Sequence, residues 1–433
     1  MSAEKNAVAS PSEGGFAAYI GIDWSDQKHN ICLMASAPPG QPSKPEHEVV
    51  EHRPEPLTEW VVGLRQRFGG RKVAVCLEQS RGALIHALMG YEFLVLYPVN
   101  PKTLARYREA FAPSQAKDDP TDAELLLDLL RKHRDKLRAW KPDDELTRTL
   151  ALLVEGRRKA VDLRTQLSNQ LSASLKGYFP QALDWVGDKV YSPMSCDLLT
   201  KWPTLEALQR AKPQALREFY YGHGCRRGDL IEQRLQAIAK ATPLTRDKAI
   251  VESSVLAVKM LARQLRTLGE AIEEYERRLQ ELFPSHPDAP LFAHLPGAAD
   301  ALAPRLLTAF GTDRSRFESA NEIQAHAGVA PVTERSGKST WVHWRWACPK
   351  FIRQTFHEFA QHSMKSSSWA KAFYQMQRQK GKGHHAAVRA LAFKWIRILF
   401  RCWKDRQPYV ESQYLDSLRK RGAPLATFLA ASD

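Results

Sequence analysis

The sequence lacks the cysteine patterns of disulfide-rich and zinc-binding proteins. Its 433 residues include six cysteines, which stand singly, with no C-x-x-C pair and no Cys/His cluster at zinc spacing. We therefore expect free thiols and no structural zinc. The six are Cys32, Cys76, Cys196, Cys225, Cys348 and Cys402.

Long apolar runs are also missing. No stretch approaches the roughly 20 apolar residues that a membrane-spanning helix needs, and the opening MSAEKNAVASPSEGG lacks the apolar centre of a signal peptide. The phosphate-loop pattern G-x-x-x-x-G-K-[ST] is absent, which argues against an NTPase. These absences predict a cytoplasmic protein without a membrane partner.

Acidic residues are few relative to basic ones. The chain carries 63 Lys and Arg against 48 Asp and Glu, a net charge of +15. The excess is concentrated, because residues 331–410 hold 16 Lys and Arg against only Glu334, Glu358 and Asp405. A basic region of this kind favours a polyanionic partner, and we expect nucleic acid.

The length exceeds what one hydrophobic core usually holds, so we expect two or three domains. Residues 1–16 are predicted to be a disordered leader. From 17 to 135, the β-prone runs AAYIGIDW, HNICLMA, HEVVEHR, KVAVCLE and EFLVLYPVNP are followed by or alternate with helical stretches. This pattern favours an α/β domain.

Residues 136–285 are predicted to form a helical region. From 258 to 282, apolar residues alternate spacings of three and four until Pro284 stops the helix, which is typical of a coiled-coil seam. The pattern of 177–230 predicts no particular fold. The seam residues are Val258, Leu261, Leu265, Leu268, Ile272, Tyr275, Leu279 and Leu282.

The remaining chain is predicted to form a C-terminal domain and a tail. FPSHPDAPLF has the composition of a linker. Residues 286–410 then combine helical stretches with the polar loop TERSGKSTWVHWRW, and 411–433 are predicted to be a peripheral tail.

Three acidic segments have the placement of a metal site. Asp23 ends the first β-prone run, Glu78 ends KVAVCLE, and Asp119 and Asp122 share one side of KDDPTDAELLLDLL if that segment is helical. Two-metal phosphodiester chemistry needs three or four carboxylates from different elements around ions roughly 4 Å apart. The order of these acids is the one that a ribonuclease-H-like site requires.

Each acid also has a structural explanation. Asp23 suits a hairpin turn, Glu78 suits a solvated strand end, and the acids of DPTD suit an N-terminal helix cap. Composition permits the acids to converge and does not establish that they do.

The loop PVTERSGKST opens the basic region. Ser336 precedes a glycine and stands between Arg335 and Lys338, which suits attack on a phosphate, because a weak hydroxyl nucleophile needs cations to stabilise the transition state. The alternative is an ordinary basic surface loop. The local sequence does not choose between Ser336 and Ser339 or Thr340.

Tryptophans follow this loop among basic residues. Trp341, His343 and Arg345 alternate with Trp344 and Trp346, which suits either a strand that presents aromatic and cationic groups to nucleic acid or a core strand. The basic side chains predicted to bind nucleic acid are Arg335, Lys338, Arg345, Lys350, Arg353, Lys380 and Lys382.

Four segments together resemble the DEDD transposases of the insertion sequence one-ten family. They are YIGIDWSDQKHNICL, VCLEQSRG, VNPKTLARYREAF…AKDDPTDAELL and LPG…ADALAPRLLTAFGTDRSRFESANEIQAHAGVAPVTERSGKST. They occur in the order that the family has, and the resemblance extends from residue 17 to about residue 410.

This resemblance implies an N-terminal RuvC-like domain, a central coiled coil and a C-terminal transposase domain that bears a serine. It implies that Ser336 is the nucleophile and that Mg²⁺ or Mn²⁺ binds the D, E, D and D carboxylates. Asp118 stands where the family more often has Thr or Ser. The implied metal ligands are Asp23, Glu78, Asp119 and Asp122.

The resemblance also implies partners and an activity. It describes a prokaryotic transposase that exchanges strands between donor and target DNA, guided by a noncoding RNA that the element encodes. A dimer or tetramer is expected, with the acidic site of one protomer completing the serine site of another. The alternatives are a RuvC-type metal-dependent endonuclease that cuts branched DNA with water, and a nucleic-acid-binding regulator without catalysis.

Overall fold

The computed structural model describes residues 15–36, 43–78, 82–111, 119–187 and 189–430. The chain divides into two compact units, residues 1–142 and 143–433. It is a mixed α/β protein with an N-terminal sheet and a mostly helical C-terminal part, as the sequence predicts. Asp118 and most of the predicted leader lie outside the described residues, and the predicted domain boundaries stay predictions.

The first unit contains a five-stranded sheet and four α-helices within its described residues. The strands are β1 (Ala18–Asp23), β2 (Lys28–Ala35), β3 (Glu46–Glu51), β4 (Val73–Leu77) and β5 (Leu94–Pro98). The helices are α1 (Pro54–Arg67), α2 (Ala83–Leu88), α3 (Pro101–Phe111) and α4 (Asp119–His133).

The sheet has the strand order β3-β2-β1-β4-β5. β2 is antiparallel to both β1 and β3, whereas β1, β4 and β5 run parallel. Helices cover both faces, with Val61 of α1 and Leu88 of α2 on one face, and Leu104 of α3 and Leu126 of α4 on the other. Because β1 and β4 are covered on both faces, they are continuous apolar runs. This arrangement is consistent with the expected ribonuclease-H-like fold.

Helix α4 contacts β1 through the main chain. A Cβ atom at Gly21 would lie 2.1 Å from the carbonyl oxygen of Ala123 and 2.5 Å from the amide nitrogen of Leu127, so only glycine fits. Arg134, just beyond α4, donates from Nη1 to the Tyr19 hydroxyl at 3.3 Å. Helix α4 therefore runs antiparallel to β1, and its N-terminus lies toward the C-terminal end of that strand.

Among its described residues, the second unit is helical apart from one hairpin, β6 (Val332–Ser336) and β7 (Ser339–His343). Within the described ranges, no helix is both long and apolar enough to span a membrane. The helices are α5 (Glu145–Tyr178), α6 (Ala182–Trp185), α7 (Pro193–Lys201), α8 (Leu205–Gln209), α9 (Pro213–Gly222), α10 (Gly228–Lys240), α11 (Lys248–Leu282), α12 (Ala289–Ala293), α13 (Ala299–Phe310), α14 (Ala320–His326), α15 (Lys350–Ser363), α16 (Ser368–Gln379), α17 (His384–Asp405), α18 (Glu411–Lys420) and α19 (Pro424–Ala430).

The long helices α5 and α11 pack against each other within the same chain. Tyr275 of α11 lies over Gly156 of α5, where a Cβ atom would come within 2.8 Å of the Tyr275 hydroxyl oxygen. Beside this contact, Arg157 donates from Nε to Glu276 Oε1 at 3.0 Å. The predicted apolar seam of α11 is thus covered inside the chain, and Val258, for example, is fully buried.

Two hydrophobic cores lie at different positions along this helix pair. Leu171 and Leu261 belong to a core shared with α6–α10, where the sequence predicted no fold. Leu150 and Leu279 belong to a second core shared with α12–α19. The predicted linker FPSHPDAPLF contains short helices at residues 283–285 and 289–293, and its Phe292 is buried in the second core.

Candidate functional site

Two of the predicted acids lie side by side at one edge of the sheet. β1 ends at Asp23, and Glu78 directly follows β4. The parallel register pairs Ile22 with Leu77, so the next step brings Asp23 beside Glu78. Neighbouring strands are roughly 4.8 Å apart. Side chains at paired positions share a face, so both carboxylates are expected on the same face of the sheet.

That face is the one that α4 covers. Asp23 alternates in phase with Gly21, against which α4 packs, and Glu78 is in phase with Cys76, which belongs to the core that includes α4. The start of α4, which carries Asp119 and Asp122, lies toward the same strand ends. The fold therefore brings all four predicted positions to one edge. The side chain of Asp119 lies outside the part of the chain that the structure describes.

Asp122 is buried, with 1% of its side chain exposed, and Arg108 of α3 balances its charge. Arg108 donates to Asp122 Oδ1 from Nε at 2.9 Å and from Nη2 at 2.5 Å. The neighbouring Tyr107 hydroxyl donates to Asp128 at 2.8 Å, so α3 fixes α4 by two polar contacts. A metal ion bound by Asp122 Oδ1 would have to displace Arg108.

The residue types at this edge suit a hard divalent cation, because Mg²⁺ and Mn²⁺ prefer carboxylate oxygen. Among the described side chains, however, no three His, Cys, Asp or Glu converge as a metal cluster. Asp23 and Glu78 come together, and Asp122 is held in its ion pair with Arg108. A complete four-carboxylate site would require the release of Asp122 and a contribution from Asp119.

Ser336 lies at the tip of the β6–β7 hairpin. It is the last residue of β6 and pairs with Ser339, so two residues form the turn. Gly337 has φ of 54°, the positive value that a tight hairpin turn requires of its first central residue. Ser336, Arg335 and Lys338 are all exposed. The segment predicted as a polar loop is thus a hairpin, and its exposed tip carries Ser336 together with Arg335 and Lys338.

The other basic residues predicted to bind nucleic acid fall into two groups. Lys350, Lys380 and Lys382 are exposed. Arg345 and Arg353 are half-buried and hold local structure: Arg345 donates from Nε to the carbonyl of Ala330 at 3.3 Å, and Arg353 stacks on Trp344.

The tryptophans after the hairpin tip do not form a core strand. Trp341 and Trp346 are 63% and 77% exposed, whereas Trp344 is half-buried. The core alternative is therefore wrong for Trp341 and Trp346. Across the hairpin, His343 Nε2 and Glu334 Oε1 are 2.8 Å apart, and this hydrogen bond raises the pKa of His343.

Two arginines that the sequence pattern does not single out lie beside predicted residues. Arg108 pairs with Asp122 across a 14-residue separation, and Arg389 stacks on Trp344 with its Cζ 3.8 Å from the ring centroid. A basic residue in an amphipathic helix gives no local signal of such a partner.

All six cysteines are free, as predicted.

Comparison with known proteins identifies two segments of the chain. Residues 20–180 match a family model described as a transposase of the DEDD type, and residues 289–375 match the model of the transposase IS116/IS110/IS902 family. The two matches occur in this order and together span more than half of the chain.

Relatives match over most of their length. A mini-circle protein of Streptomyces coelicolor, whose name describes it as a transposase for IS117, is 27% identical over 95% of this chain and 100% of its own. The 44.8 kDa protein of insertion element IS116 from Streptomyces clavuligerus is 28% identical over 75% of this chain and 80% of its own. The 42 kDa protein of insertion element IS900 from Mycobacterium paratuberculosis is 26% identical over 82% of this chain and 88% of its own.

Proposed function

We propose, on the premise that the chain belongs to the insertion sequence one-ten (IS110) family of DNA transposases, that it exchanges DNA strands through a serine nucleophile. In this reaction the Ser336 oxygen bonds to a DNA phosphorus, and one P–O bond of the strand breaks. The Ser336 hydroxyl gives up its proton as it attacks, and the oxygen of the freed strand end takes up a proton to become a hydroxyl. Attack by another strand end on the phosphoserine reverses the step and releases Ser336.

The observation that carries this proposal is the position of Ser336 at the exposed hairpin tip. A hydroxyl can reach a phosphate inside a DNA backbone only if it projects from the protein surface. Arg335 and Lys338 stand beside it and are able to stabilise the negative charge that gathers on the phosphate during attack.

We assign the first unit to the RuvC-like class and propose that it binds metal. The sheet order and the alignment of Asp23 with Glu78 support this assignment. Asp23 and Glu78 would hold the first ion, and Asp119 and Asp122 would complete the site once Arg108 releases Asp122. Bound Mg²⁺ or Mn²⁺ would supply Lewis-acid stabilisation of the phosphate and of the leaving oxygen.

The proposed partners follow from charge and from the family. Donor and target DNA would bind the basic region, where sequence-independent phosphate contacts supply the affinity. A noncoding RNA of the element would supply sequence choice by base pairing. A dimer or tetramer would assemble through surfaces other than the α11 seam, because that seam is covered within the chain. The cytoplasmic location remains a prediction.

The test replaces Ser336 with alanine and uses Ser339→Ala as the matched control in the same hairpin. With DNA that carries the ends of the element, Ser336→Ala is expected to lose the covalent protein–DNA adduct and to slow recombination by at least about 1,000-fold, because the nucleophile is gone. Ser339→Ala should keep both. The adduct is measured as a protein band that shifts in a denaturing gel with labelled DNA.

Two outcomes would contradict this mechanism. If Ser336→Ala still cut DNA hydrolytically in the presence of Mg²⁺, the RuvC-type endonuclease that uses water would be the correct function. If Asp23→Ala recombined DNA as fast as the unaltered chain, the carboxylates would have no metal-binding role in the reaction.

A further inference from the structure

Trp344, just after the hairpin that carries Ser336, has two arginines and a histidine around its indole ring. The Cζ atom of Arg389 is 3.8 Å from the indole centroid and that of Arg353 is 5.0 Å away. The ring of His357 is 6.3 Å from the indole ring. We call these four side chains the Trp344 cluster. Arg353 and His357 are one turn apart on α15, and Arg389 lies on the neighbouring helix α17.

The positive charge of the cluster is not balanced by acids on these helices. Glu358, the acid of α15, binds Arg158 and Arg305. Asp405, the acid of α17, lies four turns from Arg389 and pairs with Arg401. Among the described residues, neither cluster arginine has an ion pair. Burial, and then the charges of Arg389, Arg353 and His385, lower the pKa of His357 to about 4.

Three polar atoms of the cluster are enclosed without a hydrogen-bond partner in the described part of the chain. They are Nε1 of Trp344, Nη1 of Arg353 and a ring nitrogen, Nε2, of His357. Enclosed polar atoms without partners cost free energy, and three of them in one place mark a site where a ligand can supply hydrogen bonds. Arg389 is half-buried, and none of its nitrogens is among the enclosed atoms without a partner in the described part of the chain.

We propose that the Trp344 cluster binds a phosphodiester of the DNA that Ser336 attacks, with Arg353 and Arg389 as the two ligands. A guanidinium presents a planar fork of donors that matches two phosphate oxygens. Both guanidiniums contact the indole of Trp344, and their remaining N–H groups are the donors for the phosphate. The ligand identity rests on the proposed function, whereas the site rests on the contacts of the cluster.

The position of the cluster fits DNA that reaches the hairpin tip. Trp344 follows directly after β7, so the cluster lies at the base of the hairpin. With five residues in each strand, the hairpin is roughly 17 Å long. That length corresponds to about five base-pair steps of 3.4 Å. One duplex can therefore contact both the cluster and Ser336.

The test compares Arg389→Gln with Arg401→Gln, which removes an equal charge from the exposed part of the same helix. Binding of a random-sequence DNA duplex is measured over a range of salt concentrations. Arg389→Gln is expected to weaken binding and to reduce the slope of log K against log salt by about 1, because one phosphate contact is lost. Arg401→Gln should keep the original slope. An unchanged slope in a folded Arg389→Gln chain overturns the proposal.

A second measurement needs no arginine variant. The pKa of His357 is followed by NMR in the full chain with histidine labelled, and His357→Gln assigns the signal. Bound DNA should raise this pKa, because the phosphate charge offsets Arg353 and Arg389. If DNA leaves it unchanged, the proposal fails. If inorganic phosphate raises it and DNA does not, the cluster is a site for a free anion, and the proposal also fails.

The two proposals fail in different ways. If Ser336→Ala still formed the adduct, the serine mechanism would be wrong, while the effect of Arg389→Gln on the salt slope would still identify a DNA contact. If Ser336→Ala lost the adduct but Arg389→Gln bound DNA with the original slope, the phosphate site alone would be wrong.

Discussion

At the residue scale, the ion pair between Arg108 and Asp122 controls the state of the acidic sheet edge. Arg108→Gln is expected to lower the free energy of unfolding by about 3 kcal/mol, because it leaves a buried carboxylate without its cation. Mg²⁺ should recover part of this loss, since Asp122 is then free to bind metal. Thermal or urea unfolding with and without Mg²⁺ measures both effects.

The matched control is Arg106→Gln, an exposed arginine on the same helix. It should change stability by less than about 0.5 kcal/mol. Equal Mg²⁺ stabilisation in the unaltered chain and in Arg108→Gln would show that Arg108 does not compete with metal.

The same residues show how far the sequence predicts this edge. Asp23 and Glu78 were identifiable because each ends a local apolar run, and the parallel register then aligns them. The pair of Asp122 with Arg108 was not identifiable, because it depends on how α3 packs on α4. Whether Asp119 joins the metal site stays a prediction, since its side chain is not described.

At the scale of elements, the contact between α4 and β1 sets the position of the acids. Gly21→Ala is expected to destabilise the protein by about 3 kcal/mol, because the new Cβ would overlap the α4 main chain and force the helix away. Metal-dependent DNA cleavage should fall as well, because Asp119 and Asp122 would move with α4. Melting temperature and cleavage rate are the measurements.

Gly63→Ala is the matched control for this change. Gly63 lies inside α1 with open space around its Cα, so alanine should stabilise the helix by about 0.8 kcal/mol. A Gly21→Ala protein as stable as the original would mean that α4 does not contact β1 through its main chain.

Elements differ in how well the sequence predicts them. The strands β1 and β4 and the helix α11 have strong local periodicity and were predicted. The seam of α11 did not reveal that its partner is α5, because periodicity reports an apolar face and not what covers it. The short helices α6–α9 were not predicted, since each has four to ten residues and gains its stability from a shared core.

At the scale of the whole molecule, stability should fall in weak acid. His29 is buried in the first unit, with its Nε2 3.0 Å from His52 Nδ1, and burial and the His52 charge lower its pKa to about 4. His357 of the second unit has its pKa lowered to about the same value. An unfolded histidine has a pKa of about 6.5. Between these values the unfolded chain binds more protons, so stability is complete above pH 6.5 and falls as the pH drops toward 4.

We expect His29 to account for at most roughly 3 kcal/mol of this loss in the first unit. Hydrogen exchange of peptides from β1 and β2, followed from pH 7 to pH 4, measures it. His29→Gln should make hydrogen exchange in those peptides less dependent on pH. In peptides from α15 the pH dependence should stay the same. If exchange in the β1 and β2 peptides depended on pH equally in the unaltered chain and in His29→Gln, His29 would not be the source of the lost stability.

The paired helices α5 and α11 give the second unit a mechanical property. They have 34 and 35 residues, so each is roughly 50 Å long. Each end of the pair belongs to a different hydrophobic core. Two helices packed side by side resist bending more than one does. A rotation of the core of α6–α10 is therefore transmitted through the paired helices to the core of α12–α19, from which the Ser336 hairpin projects.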